Sequence, residues 1–260
     1  MLSFAFCIFI GMAKKYKTGL VLSGGGTRGF AHLGVIAALI EMDIKPDVIS
    51  GVSAGAIAGA FIAAGKSPEQ IMEIFKKGWF FQYTKIHIPV DGLLKLDGIR
   101  EIIEKEIEAK KIEELDIPFF VGVSNLNKGI VEYRNKGPLG KTVLASSSIP
   151  VLFAPVTLGR DLYVDGGLID NFPIEPIKND CEQLIVSNIS PINPKAKLKN
   201  LVQIATRTVY MSVNAKIDEV KKQATHYIEP RGIDEYDIFL RKHADELYEM
   251  GYKATKKAFQ

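Results

Sequence analysis

Short apolar runs alternate with helical patterns through the first two thirds of the chain. Gly19-Leu20-Val21-Leu22 is the first run, and a helical pattern follows from about Phe30 to Met42. Asp47-Val48-Ile49-Ser50 is the second, and a small-residue helix follows from Ala56 to Ala64. Ser67-Pro68-Glu69-Gln70 reads as a capping box with proline at the first helical position, opening a helix to about Lys77. Asp97 is placed to cap a further helix, Gly98 to Glu108, whose paired charges mark a solvated face. Ile117 to Ser124 and Ile130 to Arg134 read as strands joined in a hairpin, and Leu162 to Val164 and Leu184 to Asn188 as two more. The tail from about Tyr236 to Phe259 is an amphipathic helix or helix pair that packs on the domain. This alternation predicts an α/β fold: three layers, α/β/α, around a mostly parallel central sheet covered on both faces.

The length of 260 residues suits one such domain, and no repeat or low-complexity linker interrupts it. Residues 1–16 are read as an extension outside the fold, and 17–260 as one domain. Leu2 to Ile10 is apolar but too short to span a bilayer. It lacks the basic start and small-residue cleavage site of a signal peptide, and lysines follow it at 14, 15 and 17. Two readings stand: a translation-start extension ahead of Met12, or a weak membrane anchor. The formal net charge of +3 is too slight to imply nucleic acid. Lys253, Lys256 and Lys257 suit a helix C-terminus as ordinary dipole partners, with an anionic lipid surface as the alternative. Cys7 and Cys181 give neither a disulfide framework nor metal-ligand spacing, which points to a reducing, cytoplasmic setting.

Chemistry enters at Gly51-Val52-Ser53-Ala54-Gly55, a G-x-S-x-G stretch between a short apolar run and a helix. A nucleophilic serine must be lifted clear of the backbone on a sharp strand-to-helix turn, and glycines make room for it. The helix then points its N-terminus at the serine, where a developing oxyanion gains from the dipole. A serine needs a base. The histidines are His32, His87, His226 and His243, and none follows a strand in a glycine-marked turn. His32 reads as a packing or hydrogen-bonding residue, and His243 as solvated. A carboxylate does occupy such a turn, because Asp165-Gly166-Gly167 follows Leu162-Tyr163-Val164. Burial would raise the pKa of Asp165 and improve its match to a serine hydroxyl. Taken alone, the stretch is also an ordinary surface turn.

Ser23-Gly24-Gly25-Gly26-Thr27-Arg28-Gly29 follows the first strand and opens a helix. Amides of successive glycines can converge on a phosphate or an oxyanion. The letters also satisfy G-x-G-x-x-G, but a dinucleotide site needs an acidic residue at the end of the second strand, which here ends in Ser50-Gly51. No Gly-Lys-Ser/Thr follows, so a Walker A loop is excluded. Oxyanion binding fits best. Arg28 orients the loop, meets an anionic head group, or is a surface cation.

These three stretches, in this order, resemble the patatin-like phospholipases. Ala145 to Phe153 and Asn171-Phe172-Pro173 are similar to further family segments, and the resemblance covers about Lys17 to Ser190. It implies a patatin-like, lysophospholipase-like fold, with Ser53 as nucleophile and Asp165 as base. It implies an oxyanion-hole or substrate-binding loop of Gly24, Gly25, Gly26, Thr27 and Arg28, with the amides around Gly25 and Gly26 as donors. It implies hydrolysis of lipid acyl esters, phospholipid or lysophospholipid, through an acyl-enzyme with no metal or other cofactor. The implied partner is a lipid ester substrate, with transient contact at a membrane surface. A general esterase or acyl-thioesterase with the same dyad, and a non-catalytic lipid-binding protein, remain as alternatives. Gly78-Trp79-Phe80-Phe81-Gln82-Tyr83 and the apolar residues after it read either as a lid over an acyl groove or as a helix end packed on the core.

Overall fold

In the computed structural model the described residues are 13–77, 96–195, 198, 204, 207–208, 211, 216–238 and 241–260. The N-terminal apolar stretch, His87 and the aromatic cluster at 78–83 lie outside them. The strands are β1 (Tyr16–Leu22), β2 (Val48–Gly51), β3 (Phe119–Asn125), β4 (Ile130–Arg134), β5 (Val156–Leu158), β6 (Asp161–Asp165), β7 (Cys181–Ser187) and β8 (His226–Ile228). The helices are α1 (Phe30–Glu41), α2 (Ala54–Ala63), α3 (Pro68–Lys77), α4 (Asp97–Glu106), α5 (Leu139–Ser146), α6 (Ile217–Gln223) and α7 (Ala244–Ala258).

All eight strands form one sheet, ordered β5-β6-β3-β2-β1-β7-β8, with β4 on β3. The run β3-β2-β1-β7-β8 is parallel throughout. The far edge is antiparallel, through β3–β4, β3–β6 and β5–β6. The parallel strands read as unbroken apolar runs because both of their faces are covered. Leu20 and Leu22 join the core under α1, α2 and α5, while Val21 turns to the opposite face and packs with Phe172, Ile174, Ile177 and Val220 of α6. Helices on one face and the 172–177 segment with α6 on the other make the three layers.

One detail of pairing brings distant segments together. β3 has only two edges but three partners. Val121 pairs with both Gly51 of β2 and Arg134 of β4, so β2 and β4 lie on opposite edges. Residues Val123 to Asn125 pair with both β4 and β6, so β6 lies on the β2 edge, just past the point where β2 stops. β2 runs parallel to β3 and β6 antiparallel, so their C-terminal ends approach each other head-on: Gly51 opposite Val121, Asp165 opposite Val123.

Most predicted elements are present. The capping box of α3 is formed, with Gln70 N–H donating to Ser67 Oγ at 3.3 Å and Ser67 N–H to Gln70 Oε1 at 2.9 Å. Asp97 is not a cap: it is the first residue of α4, and the cap position is taken by Leu96, which is buried. The apolar contact of Leu96 outweighs the polar cap expected there. α4 also stops at Glu106, where Ile107 turns extended and is buried. The terminal helix starts at Ala244 rather than Tyr236. Residues 236–238 instead run beside the glycine loop, where their carbonyls accept hydrogen bonds.

Candidate active site

Ser53 caps α2 immediately after β2, with φ 53° and ψ −121°. This left-handed φ costs a non-glycine residue about 1–3 kcal/mol. The turn is tight enough to dictate its neighbours. A Cβ on Gly51 would lie 2.5 Å from Gly55 O, and one on Gly55 would lie 2.2 Å from Leu22 O. The two glycines of the motif are therefore steric requirements of the chain folding back on itself. Hydrogen bonds hold the strained residue on both sides. Ile57 N–H donates to Ser53 O at 3.0 Å, and Ser53 N–H donates to Ser146 Oγ at 2.9 Å. Ser146 Oγ in turn donates to Gly122 O of β3 at 2.7 Å.

Asp165 ends β6 and is buried, only 6% exposed. Its N–H donates to Ser148 O at 2.9 Å, so the end of α5 steadies both Ser53 and Asp165. Its Oδ1 accepts from Gly167 N–H at 2.8 Å. Burial pushes its carboxyl up from 3.8 to about 7, with hydrogen bonds from the Ser53 side chain and the Gly167 amide acting in the opposite direction. Positions 53 and 165 thus meet across Gly122: a Cβ on Gly166 would lie 2.4 Å from Gly122 O and 2.7 Å from Val52 Cγ2.

The glycine loop lies over this pair. A Cβ on Gly24 would fall 3.1 Å from Ser53 Cβ. Not every amide of the loop is free. Gly24 N–H donates to Asn171 Oδ1 at 3.0 Å, and Thr27 N–H to Ile238 O at 2.8 Å. The Gly25 and Gly26 amides have no acceptor among the described residues. The Arg28 guanidinium faces the 234–236 segment, donating to Tyr236 O at 2.7 and 2.9 Å and to Asp234 O at 3.1 Å. Thr27 Oγ1 donates to Asp237 O at 3.0 Å. Thr27 and Arg28 thus fasten the loop to the C-terminal part of the chain.

No described histidine hydrogen-bonds to Ser53 or Asp165. His32 is fully buried, and burial lowers its pKa to about 4, so the ring is neutral. Because Ser23 O can only accept, Nε2 carries the proton and donates to it at 2.8 Å, which leaves Nδ1 to accept from Ser187 Oγ at 2.8 Å. His226 stacks on Phe259, and His243 pairs with Glu246.

Ser53 opens onto an apolar cleft with an internal volume of about 110 Å³. Its apolar lining includes Phe30 and Leu33 of α1, Ile57 of α2, Ile71 and Phe75 of α3, and Phe153. Ser146, Ser148 and Asn171 also hold the site together, although no catalytic motif marks their individual roles. The triple serine carried a signal, because a run of hydroxyls at a helix end must find backbone partners. Ser147 and Ser148 turn back to Val143 O and Leu144 O, and only Ser146 reaches outward to β3 and Ser53.

A serine on a strained strand–helix elbow, a buried carboxylate with a raised pKa and an overlying glycine loop thus lie together at the C-terminal ends of β1, β2 and β6. The sequence model of the patatin-like phospholipase family matches residues 20–178, and the chain belongs to that family. It is 27% identical over 276 residues to patatin-like phospholipase domain-containing protein 7 of Rattus norvegicus, covering 92% of this chain and 20% of the relative. It is 26% identical over 273 residues to lysophospholipase NTE1 of Mycosarcoma maydis, covering 91% of this chain and 14% of the relative. The chain therefore spans a fifth or less of the length of these curated relatives. Among solved structures, VipD from Legionella pneumophila has a similar fold, with a TM-score of 0.54 at 15% identity over 94% of this chain and 66% of that one. Among the described residues, no helix is long and apolar enough to cross a membrane.

Proposed function

We propose that this chain hydrolyses carboxylic ester bonds of lipids through Ser53 and Asp165. The observation that carries the reading is the meeting of a strained serine with a buried carboxylate whose pKa lies near neutrality. A base titrating near the working pH is both ionised and basic enough to accept a serine proton. Ser53 Oγ attacks the ester carbonyl carbon while its proton passes to an Asp165 carboxylate oxygen. The carbonyl π electrons move onto oxygen, and the Gly25 and Gly26 amides, with the N-terminus of α2 behind Ser53, stabilise that charge. Collapse breaks the bond to the leaving alcohol, which takes the proton from Asp165. Water then attacks the acyl-serine, Asp165 again accepts a proton and returns it to Ser53, and the fatty acid departs.

The apolar cleft beside Ser53 suits an acyl chain, and the relatives named as a phospholipase-domain protein and a lysophospholipase point to a phospholipid or lysophospholipid as the ester. A soluble ester or thioester meets the same reacting atoms. A purely lipid-binding protein would have no use for a carboxylate held near pKa 7 beside a strained serine. The test is labelling with a fluorophosphonate, mapped by mass, followed by a lipid panel. Adduct on Ser53 and release of fatty acid from a lysophospholipid are expected. An unlabelled Ser53 with no release from any ester overturns the reading.

A further inference from the structure

The peptide unit between Ser23 and Gly24 is held at both ends. Its carbonyl oxygen accepts from His32 Nε2 at 2.8 Å, and its N–H donates to Asn171 Oδ1 at 3.0 Å. Both partners are buried, His32 fully and Asn171 at 1% exposure. They come from separate parts of the fold, α1 and the loop after Asp165. Asn171 is itself anchored, because its Nδ2 donates to Ser190 Oγ at 2.6 Å. Its Oδ1 also crowds the turn after the carboxylate: a Cβ on Gly167 would lie 3.0 Å from Asn171 Oδ1 and 3.0 Å from Asp165 Oδ1. A Cβ on Gly24 would lie 2.7 Å from that same Asn171 oxygen and 3.1 Å from Ser53 Cβ. One amide side chain therefore touches the glycine loop above the serine and the turn that carries the acid.

Resting on the reading above, we infer that Asn171 is a positioning residue which, with His32, clamps the Ser23–Gly24 peptide so that the next two amides, Gly25 and Gly26, face the oxyanion. The physical reason is the freedom of the loop itself. Three successive glycines resist little rotation, and a donor that must be reoriented during reaction loses most of its value. Fixing one peptide plane at both its donor and its acceptor removes that freedom at the first residue of the run. The Gly24 amide is spent in doing so, which explains why the donors begin at Gly25. Asn171 touches no reacting atom, so its loss should weaken the transition state and leave ground-state binding of the acyl chain unchanged.

The test compares Asn171→Ala with Ser190→Ala in the full chain. The first removes the acceptor for Gly24; the second keeps that acceptor and removes the hydroxyl behind it, which accepts from Asn171 Nδ2 and donates to Asn188 Oδ1. Readouts are kcat and KM on the best ester, the rate of fluorophosphonate labelling at Ser53, and the melting temperature. Asn171→Ala should lower kcat and labelling rate together by about 10- to 100-fold, with KM within about twofold. Its pH dependence should keep the wild-type midpoint, since Asp165 is untouched. Ser190→Ala, which loosens Asn171 but leaves its oxygen available to Gly24, should lose melting temperature and lower kcat by a clearly smaller factor than Asn171→Ala does. Unchanged kcat in Asn171→Ala, or equal kcat losses in the two variants, overturns the inference. Amide hydrogen exchange in the wild-type chain tests it without a variant. Gly24 should be protected in the free enzyme, and Gly25 and Gly26 only in the fluorophosphonate adduct. A fast-exchanging Gly24 overturns it equally. Wild-type protein that is not labelled at Ser53 would instead remove the hydrolase reading, so the two failures are told apart.

Discussion

Two strand ends meet at the site, and they store their strain in different ways. The β2 end places Ser53 in a left-handed backbone conformation, a steric strain relieved by glycines on either side. The β6 end places Asp165 in ordinary backbone but strips it of water, an electrostatic strain that lifts its pKa to about 7. Steric strain leaves its record in the sequence, because only glycine fits beside it. Desolvation leaves none, because it depends on what other segments bring to cover the charge. The strain at the serine is thus readable from five letters; the Gly-Gly turn marks the place of the carboxylate, but its raised pKa is set only by the assembled sheet.

Substitutions separate the two kinds of strain. Ser53→Ala should abolish turnover, by about four orders of magnitude or more, with little change in stability, since alanine inherits the same φ. Steady-state kinetics with a melting curve reads both. Asp165→Asn should lower kcat by roughly 10²- to 10⁴-fold. Its effect on stability runs the opposite way to its effect on rate. A carboxyl whose folded pKa lies above its unfolded one favours the folded state least when ionised, so wild-type stability falls as pH rises from about 4 through about 7. Asp165→Asn should therefore melt above wild type at pH 8, and the gap should close by pH 4. A melting temperature below wild type at pH 8 would mean that the buried charge is not a burden.

Smaller effects probe the steric side. Gly166→Ala drives a methyl to 2.4 Å from a backbone oxygen of β3, whereas Gly167→Ala meets the side-chain oxygens of Asn171 and Asp165 at 3.0 Å, a contact relieved by a small shift of either. The first should cost about 1–3 kcal/mol or more in denaturant unfolding, and the second under about 1 kcal/mol. Ser146→Ala deprives the Ser53 amide of its partner and should cost about 1–3 kcal/mol, again by denaturant unfolding. Equal costs at 166 and 167 would show that the approach of the acid turn to β3 is looser than described.

Much of the architecture was legible because periodicity and turn residues report local forces. The capping box at Ser67, the hairpin of β3 and β4 and the buried β1 and β7 all follow from such signals. Asp97 and Tyr236 misled for a shared reason. Asp97 has a polar cap's chemistry and Tyr236 opens an amphipathic stretch, but Leu96 is drawn into the core and residues 236–238 are held by Thr27 and Arg28. In the site, the motifs marked which segments converge, and the division of labour within the glycine loop was not legible. Nothing in Gly24-Gly25-Gly26 tells which amide is already spent, since the acceptor, Asn171, lies 147 positions away.

If Ser53 and Asp165 act as one unit, the pH dependence of fluorophosphonate labelling at Ser53 reports it directly. The rate in wild type should rise through a single midpoint near 7, as the aspartate ionises, and Asp165→Asn should be slow and flat across the same range. A midpoint near 4 in wild type, or a midpoint near 7 that survives in Asp165→Asn, would contradict it.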